Sequence, residues 1–269
     1  MQPHTPRSSL PDGPRFGWLQ AWYFINRARD YSAWLRRRYG ELVTLRLPNV
    51  TAVVALTPEG ARQVLTADAG GYDAFFKTGF EALAGTGSIW VLDGQRHRRE
   101  RQLLAPAFHA RRIQQFGQAI RDIARRHADG WQADQEMRAY DAMLGISRDV
   151  ILRVGFGVED GPVLDEGRRI LSTVLHCVHP SIAYIPVCQA SWFPPWRRYR
   201  RATREFSAFI ARRKAERAGQ DSDDLLGLLM AGRRDDGTAL SDDEIRDELL
   251  TILLSGHCLL YTSPSPRDS

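Results

Sequence analysis

Lysine is nearly missing from this chain. All but two of its 37 lysine and arginine residues are arginine, the exceptions being Lys77 and Lys214. Cysteine is scarce as well: Cys177, Cys188 and Cys258 are too few for a disulfide framework, so a reducing compartment is expected. No apolar run approaches the length of a bilayer-spanning helix. The start, MQPHTPRSSLPDGPRFG, is polar and proline-rich and lacks the apolar centre of a signal peptide. These absences lead to the expectation of a cytoplasmic protein with no membrane anchor. There is no internal repeat.

What is present is ordinary for a globular protein. Of 269 residues, 43% are hydrophobic and 26% charged, enough for one large domain or two small ones. The net charge is +5. Arginine is interleaved with Asp and Glu throughout, no basic stripe stands out, and no groove-reading motif occurs. No nucleic-acid partner is therefore expected.

The periodicity predicts a mainly α protein with a small N-terminal β-hairpin. After the irregular PDGP (Pro11 to Pro14), Tyr31, Trp34, Leu35 and Tyr39 follow at helical spacing, with Gly40 at the C-terminal cap. LVTLRL (Leu42 to Leu47) and TAVVAL (Thr51 to Leu56) read as paired strands around Pro48 and Asn49. Thr57-Pro58-Glu59 starts a helix. The Gly- and Phe-rich stretch from Asp68 to Ile89 reads as a long loop. Beyond it nearly everything is helical. Ile113, Phe116, Ile120, Ile123, His127 and Trp131 share one face of a long helix. Val150, Ile151 and Val154 mark another, closed near Gly155 and Gly157. Leu171, Val174, Leu175 and Val178 mark a third, stopped by Pro180. Ser222-Asp223-Asp224 caps a short helix. Ser241-Asp242-Asp243-Glu244 is a capping box, followed by Ile245, Leu249, Leu250, Ile252, Leu253 and Leu254 around most of a helix circumference. Such a helix lies inside a protein.

The stretch richest in chemistry is LDGQRHRRERQLLAPAFH, Leu92 to His109. His97 and Arg101 stand four residues apart and leave one helix face together. An imidazole and a planar guanidinium converging there suit the two oxygens of a carboxylate. A solvated basic face is the other reading of the same spacing. His176, Cys177, His179 and Cys188 are of zinc-ligand type, but their spacing matches no zinc pattern, and no metal site is expected. Phe75, Phe76, Ile89 and Trp90 either cap an apolar pocket or tie down the loop that carries them.

HRRERQLLAPAFH resembles the C helix of the cytochromes P-450, the haem-thiolate monooxygenases. The family pattern falls on His97, Arg101, Leu103, Pro106 and Phe108. LLTILLSGH is similar to the start of that family's central I helix, with Ser255, Gly256 and His257 on its first positions. The order of elements between the two agrees as well, so the resemblance covers Pro11 to His257.

The resemblance implies a truncated cytochrome P-450 fold and a haem b cofactor whose propionates are held by His97 and Arg101. Gly256 would allow the helix to approach the haem closely. It further implies a ferredoxin, flavodoxin or reductase as electron donor, and insertion of one oxygen atom from O2 into an apolar organic substrate. Arg98 and Arg99 would belong to a docking face for an acidic donor. Val174, Val178 and Ile182 would line the substrate pocket, with plain core packing as the equal alternative.

Two departures stand out. Cys258 and Leu259 occupy the positions of the family's acid and threonine, so no catalytic residue is assigned and Gly256 and His257 are the nearest. The Phe-x-x-Gly-x-x-x-Cys-x-Gly segment that supplies the axial thiolate is absent. Residues 1–257 are thus expected to be the N-terminal portion of a single domain, inactive alone. Residues 258–269 are similar to a translated transposase sequencing adaptor and are expected to be non-native. The competing class is a non-catalytic, basic, all-α binding or regulatory protein.

Overall fold

The structure, a computed structural model, describes residues 10–47, 50–67, 77–134, 136–178, 182, 185–217, 223–234 and 236–262. Its N-terminal part holds α1 (Gly17–Asn26), α2 (Ala28–Tyr39), β1 (Leu42–Leu47), β2 (Val50–Ala55) and α3 (Pro58–Thr66). The two strands pair antiparallel from Leu42 opposite Ala55 to Leu47 opposite Val50. Tyr31, Leu35, Val43 and Leu45 form a small core there. Thr57 Oγ1 accepts a hydrogen bond from Gly60 N–H at 3.1 Å and caps α3 as its sequence predicts.

The larger part is helical: α4 (Lys77–Ala84), α5 (Gly94–Leu104), α6 (Ala110–Asp129), α7 (Ala139–Phe156), α8 (Gly161–Cys177), α9 (Pro194–Glu216), α10 (Leu225–Ala231) and α11 (Asp242–Thr262). A 3-10 turn, Ala105–Phe108, follows α5 at Pro106. α11 runs through the middle and packs on α4, α7, α9 and α10. Its Ile245, Leu249, Leu250, Leu253 and Leu254 are all buried. Phe206 and Phe209 of α9 meet Phe156 of α7 edge-on, at 5.9 and 5.6 Å between ring centroids. Burial of each such ring stabilises the fold by about 1.5–3 kcal/mol.

Several sequence expectations change. The stretch read as a loop from Asp68 contains α4, whose Leu83 and Ala84 pack into the core and whose Leu83 carbonyl accepts the buried Tyr199 hydroxyl proton. α1 was not read from the sequence because apolar residues run round most of GWLQAWYFIN and mark no single face; Phe24 packs on the small core while Trp18, Leu19 and Trp22 are exposed. α6 ends at Asp129, so Trp131 lies beyond it, and of its apolar stripe Ile123 is buried whereas Ile113 and Ile120 are exposed. α10 is capped by Asp224, whose Oδ1 accepts from Gly227 N–H at 2.9 Å; Ser222 lies outside the described residues. α11 continues past His257 to Thr262. Nothing in Cys-Leu-Leu-Tyr-Thr opposes a helix, and the first Ser-Pro step comes only at Ser263.

Candidate functional site

α5 carries the basic stretch, and its position is set from below by charge. Glu100 points inward and is buried; its Oε1 accepts from Arg234 Nε at 2.9 Å and Nη2 at 2.8 Å. The same Nη2 donates to Glu244 Oε1 at 2.8 Å. Arg234 therefore clamps α5 to the first turn of α11. Burial disfavours the Arg234 charge, yet its two carboxylate partners outweigh that and raise its pKa. Glu244 also closes the capping box: its Oε2 accepts from Ser241 N–H at 2.9 Å, and its own N–H donates to Ser241 Oγ at 3.2 Å.

On α5, His97 is half-buried and Arg101 exposed, one turn apart. Among the described residues neither forms an ion pair with a carboxylate. Their N–H donors stay available for an anionic group from outside, which is what a propionate clamp requires. Arg98 and Arg99 are exposed on the same helix. The donor set thus fits the carboxylate edge of a haem.

The segment before α5 is fastened to α11. Gly87 N–H donates to Asp247 Oδ2 at 2.9 Å, and Ser88 Oγ meets Thr251 Oγ1 at 2.6 Å. Gly85 has φ +89°, and a Cβ there would collide with the Asp247 carboxylate, so this turn needs glycine on both counts. Ile89 and Trp90 follow, half-buried against the main core, with Trp90 against Phe80 at 5.1 Å. Val174 and Ile182 are fully buried in that core and Val178 partly so. Phe75 and Phe76 lie outside the described residues. At Gly256 a Cβ would meet only Ile151 Cδ1, at 3.7 Å, so among the described residues nothing else crowds that position of α11. Cys177 and Cys188 are half-buried free thiols; burial pushes the Cys177 pKa up.

Sequence reasoning missed a fourth acid here. Glu248 of α11 is almost fully buried, and neither of its oxygens has a hydrogen-bond partner. The Ile89 amide favours its charge but lies outside hydrogen-bonding geometry. Burial, helped by the charges of Glu100, Asp247 and Glu244, pushes its pKa to about 8, so it is a neutral acid at pH 7. Asp247 is raised too, by burial first. The signal was the pair Asp247-Glu248, one turn past the capping box and directly before the apolar run of α11.

The family model Cytochrome P450 matches residues 10–258. Cytochrome P450 135A1 of Mycobacterium tuberculosis is 31% identical over 265 residues, covering 94% of this chain and 58% of that relative. Cytochrome P450 138 of the same organism is also 31% identical, covering 95% and 59%. This chain therefore spans little more than half the length of the curated relatives it matches. The solved structure of retinoic acid-bound cyanobacterial CYP120A1 superposes with a TM-score of 0.76 at 22% identity, over 92% of this chain and 56% of that one. At that identity the likeness speaks for the fold.

Proposed function

The chain belongs to the cytochrome P450 family, and from that premise we propose that it is the N-terminal portion of a haem-dependent monooxygenase that inserts one oxygen atom from O2 into an apolar organic substrate. Members of the family bind haem (iron protoporphyrin IX). The observation that carries the reading is the pair of unengaged donors, His97 and Arg101, one turn apart on the helix that matches the family. In the completed protein they would hold the haem propionates, and Gly256 would leave room for the cofactor beside α11. Ile89, Trp90, Val174, Val178 and Ile182, with Phe75 and Phe76, border the substrate pocket. Arg98 and Arg99 face an acidic electron donor of the ferredoxin, flavodoxin or reductase type, by electrostatic attraction. Haem, when bound, would supply the oxygen activation.

Residues 1–257 belong to a single domain that continues in the longer protein. The chain alone is inactive, because it has no cysteine in the thiolate segment's surroundings. Residues 258–269 are non-native, and re-sequencing the source locus tests that directly: native codons for Cys-Leu-Leu-Tyr after His257 would refute it. The function itself is tested on the completed reading frame. A carbon-monoxide difference spectrum with a Soret band at the thiolate position is expected. Its absence leaves the chain a basic binding protein. In that completed protein, replacing His97 and Arg101 together with alanine should weaken haem retention about tenfold or more.

A further inference from the structure

Arginine is interleaved with acids along most of this chain, and the start of α9 is the exception. No aspartate or glutamate occurs from Gly167 to Arg204, and that stretch ends in Arg197, Arg198, Arg200, Arg201 and Arg204. α9 buries Tyr199, Ala202, Phe206, Phe209 and Ile210, which leaves all five arginines exposed on its solvent side. Arg197, Arg200, Arg201 and Arg204 have the i, i+3, i+4, i+7 spacing of a single helix face. Like charges at that spacing repel, and cations are disfavoured at the positive end of a helix. The arrangement thus opposes its own helix twice. Among the described residues, Glu205 is the one carboxylate paired with any of the five, 3.4 Å from Arg201. It is already engaged by Arg169, whose Nη1 donates to Oε2 at 3.1 Å. That bond first, then the charges of Arg169 and Arg201, hold the Glu205 carboxyl below the usual carboxylate range. Arg204 Nε donates to Arg200 O at 3.2 Å, and Arg197, Arg198 and Arg200 form no ion pair among the described residues.

These arginines do not stand on a flat face. With Ser191, Pro194 and Trp196 they line a pocket of about 420 Å³, a size that suits a small ligand. Its aromatic wall is fixed. Trp196 is half-buried and stacked on the buried Tyr199 ring at 5.8 Å, and the Tyr199 hydroxyl donates to Leu83 O of α4. Pro194 and Pro195 fill the first positions of α9 and bring no N–H, so an anion there must be held by side chains. Guanidinium forks match phosphate oxygens in pairs. Five of them beside a single engaged carboxylate call for several negative charges. A lone carboxylate would leave most of the repulsion in place, whereas two or three linked phosphates offset it. A pocket of this size favours a small molecule over the broad surface of an acidic protein.

We propose that the pocket at the start of α9 binds a small soluble polyanion bearing two or more phosphate groups, held by Arg197, Arg200, Arg201 and Arg204 and backed by Trp196. The site uses neither His97 nor Arg101, so it stands or falls apart from the haem reading. The test is calorimetric titration of the completed protein with inorganic tripolyphosphate at constant ionic strength. A single saturable site is expected, at least about tenfold tighter for tripolyphosphate than for inorganic phosphate. Arg200→Gln/Arg204→Gln should weaken it at least about tenfold. Arg36→Gln/Arg37→Gln, which removes the same charge from exposed positions of α2, should bind like the parent. A second measurement needs no variant. Tripolyphosphate at about ten times its Kd should slow phenylglyoxal modification of Arg200 and Arg204 about tenfold and leave that of Arg36 and Arg37 unchanged. The proposal is overturned if no saturable binding occurs, if both pairs of substitutions weaken it equally, or if the ion protects both arginine clusters alike. It is also overturned if a single-stranded oligonucleotide or an anionic vesicle, at equal phosphate concentration, binds this face more tightly than tripolyphosphate does.

Discussion

Two helix junctions in this molecule bury a carboxyl group and treat it in opposite ways. Where α6, α7 and α8 meet, Asp149 is fully engaged. Arg168 Nε reaches Oδ1 at 2.8 Å, Arg168 Nη2 reaches Oδ2 at 2.6 Å, and His127 Nε2 lies 2.8 Å from Oδ2. Burial opposes its charge, but the hydrogen bonds from Arg168 and His127 outweigh that and hold its pKa below the usual carboxylate range. Where α11 meets the segment before α5, Glu248 has no such partner and is pushed to about 8. An acid that is buried and satisfied ties helices together. One that is buried and unsatisfied costs stability, about 1–3 kcal/mol for an unmade hydrogen bond. The second kind sits beside the candidate site, where Ile89 and Trp90 lead into α5, and the first sits away from it.

The largest effect expected from this contrast is at Asp149. Asp149→Ala should destabilise the fold by about 3 kcal/mol, read by urea unfolding. The low end of the range for a broken buried pair applies because Arg168 keeps partial access to water. The pH signature follows from the lowered pKa. Asp149 contributes stability above its unfolded pKa, near 3.9, and that contribution disappears as pH falls through its folded pKa. A neutral effect of Asp149→Ala would erase the difference between the two junctions.

Glu248 should behave with the opposite sign. Between the unfolded value of about 4.3 and the folded value of about 8, the native state holds a proton that the unfolded chain releases. Stability should therefore fall as pH rises through that window, by up to about 1.4 kcal/mol per pH unit. Glu248→Gln should remove this slope and stabilise the fold at pH 7 by about 1–3 kcal/mol. Urea unfolding across the window checks both. If Glu248→Gln destabilises instead, the carboxylate has a partner and the contrast collapses.

The same contrast explains what was legible beforehand. Caps are written in adjacent residues, so Thr57 and the Ser241–Glu244 box are found from sequence and stand as expected. Glu100 and Arg234 meet across 134 positions of chain, and no local pattern announces that clamp. The propionate-type pair His97 and Arg101 was legible because both residues lie on one turn. Glu248 was not singled out, because periodicity marks which residues are apolar and says nothing of what an acid among them will meet. α6 and α11 make the same point for packing. Both carry strong apolar faces, yet α11 is enclosed by four helices while Ile113 and Ile120 of α6 remain open. Periodicity identifies the face that seeks burial; the partner has to be supplied from elsewhere in the chain.

The smallest expected effect concerns the fastening that keeps Glu248 enclosed. Thr251 Oγ1 donates its proton to Asp247 O at 2.6 Å, so in its contact with Ser88 it must be the acceptor and Ser88 the donor. Ser88 Oγ in turn accepts from Trp90 N–H at 3.2 Å. Ser88→Ala removes both bonds and leaves a part-buried amide unsatisfied, which should cost about 1 kcal/mol. The loss should be local. Amide hydrogen exchange at residues 87–91 should accelerate about fivefold, while the amides around Asp149 keep their protection. If the α6–α8 junction loosens equally, the two regions open as one cooperative unit and their different treatment of a buried acid is a matter of local contacts only. If it does not, the α11 junction is the separately yielding part of the core, on the side where α5 presents His97 and Arg101.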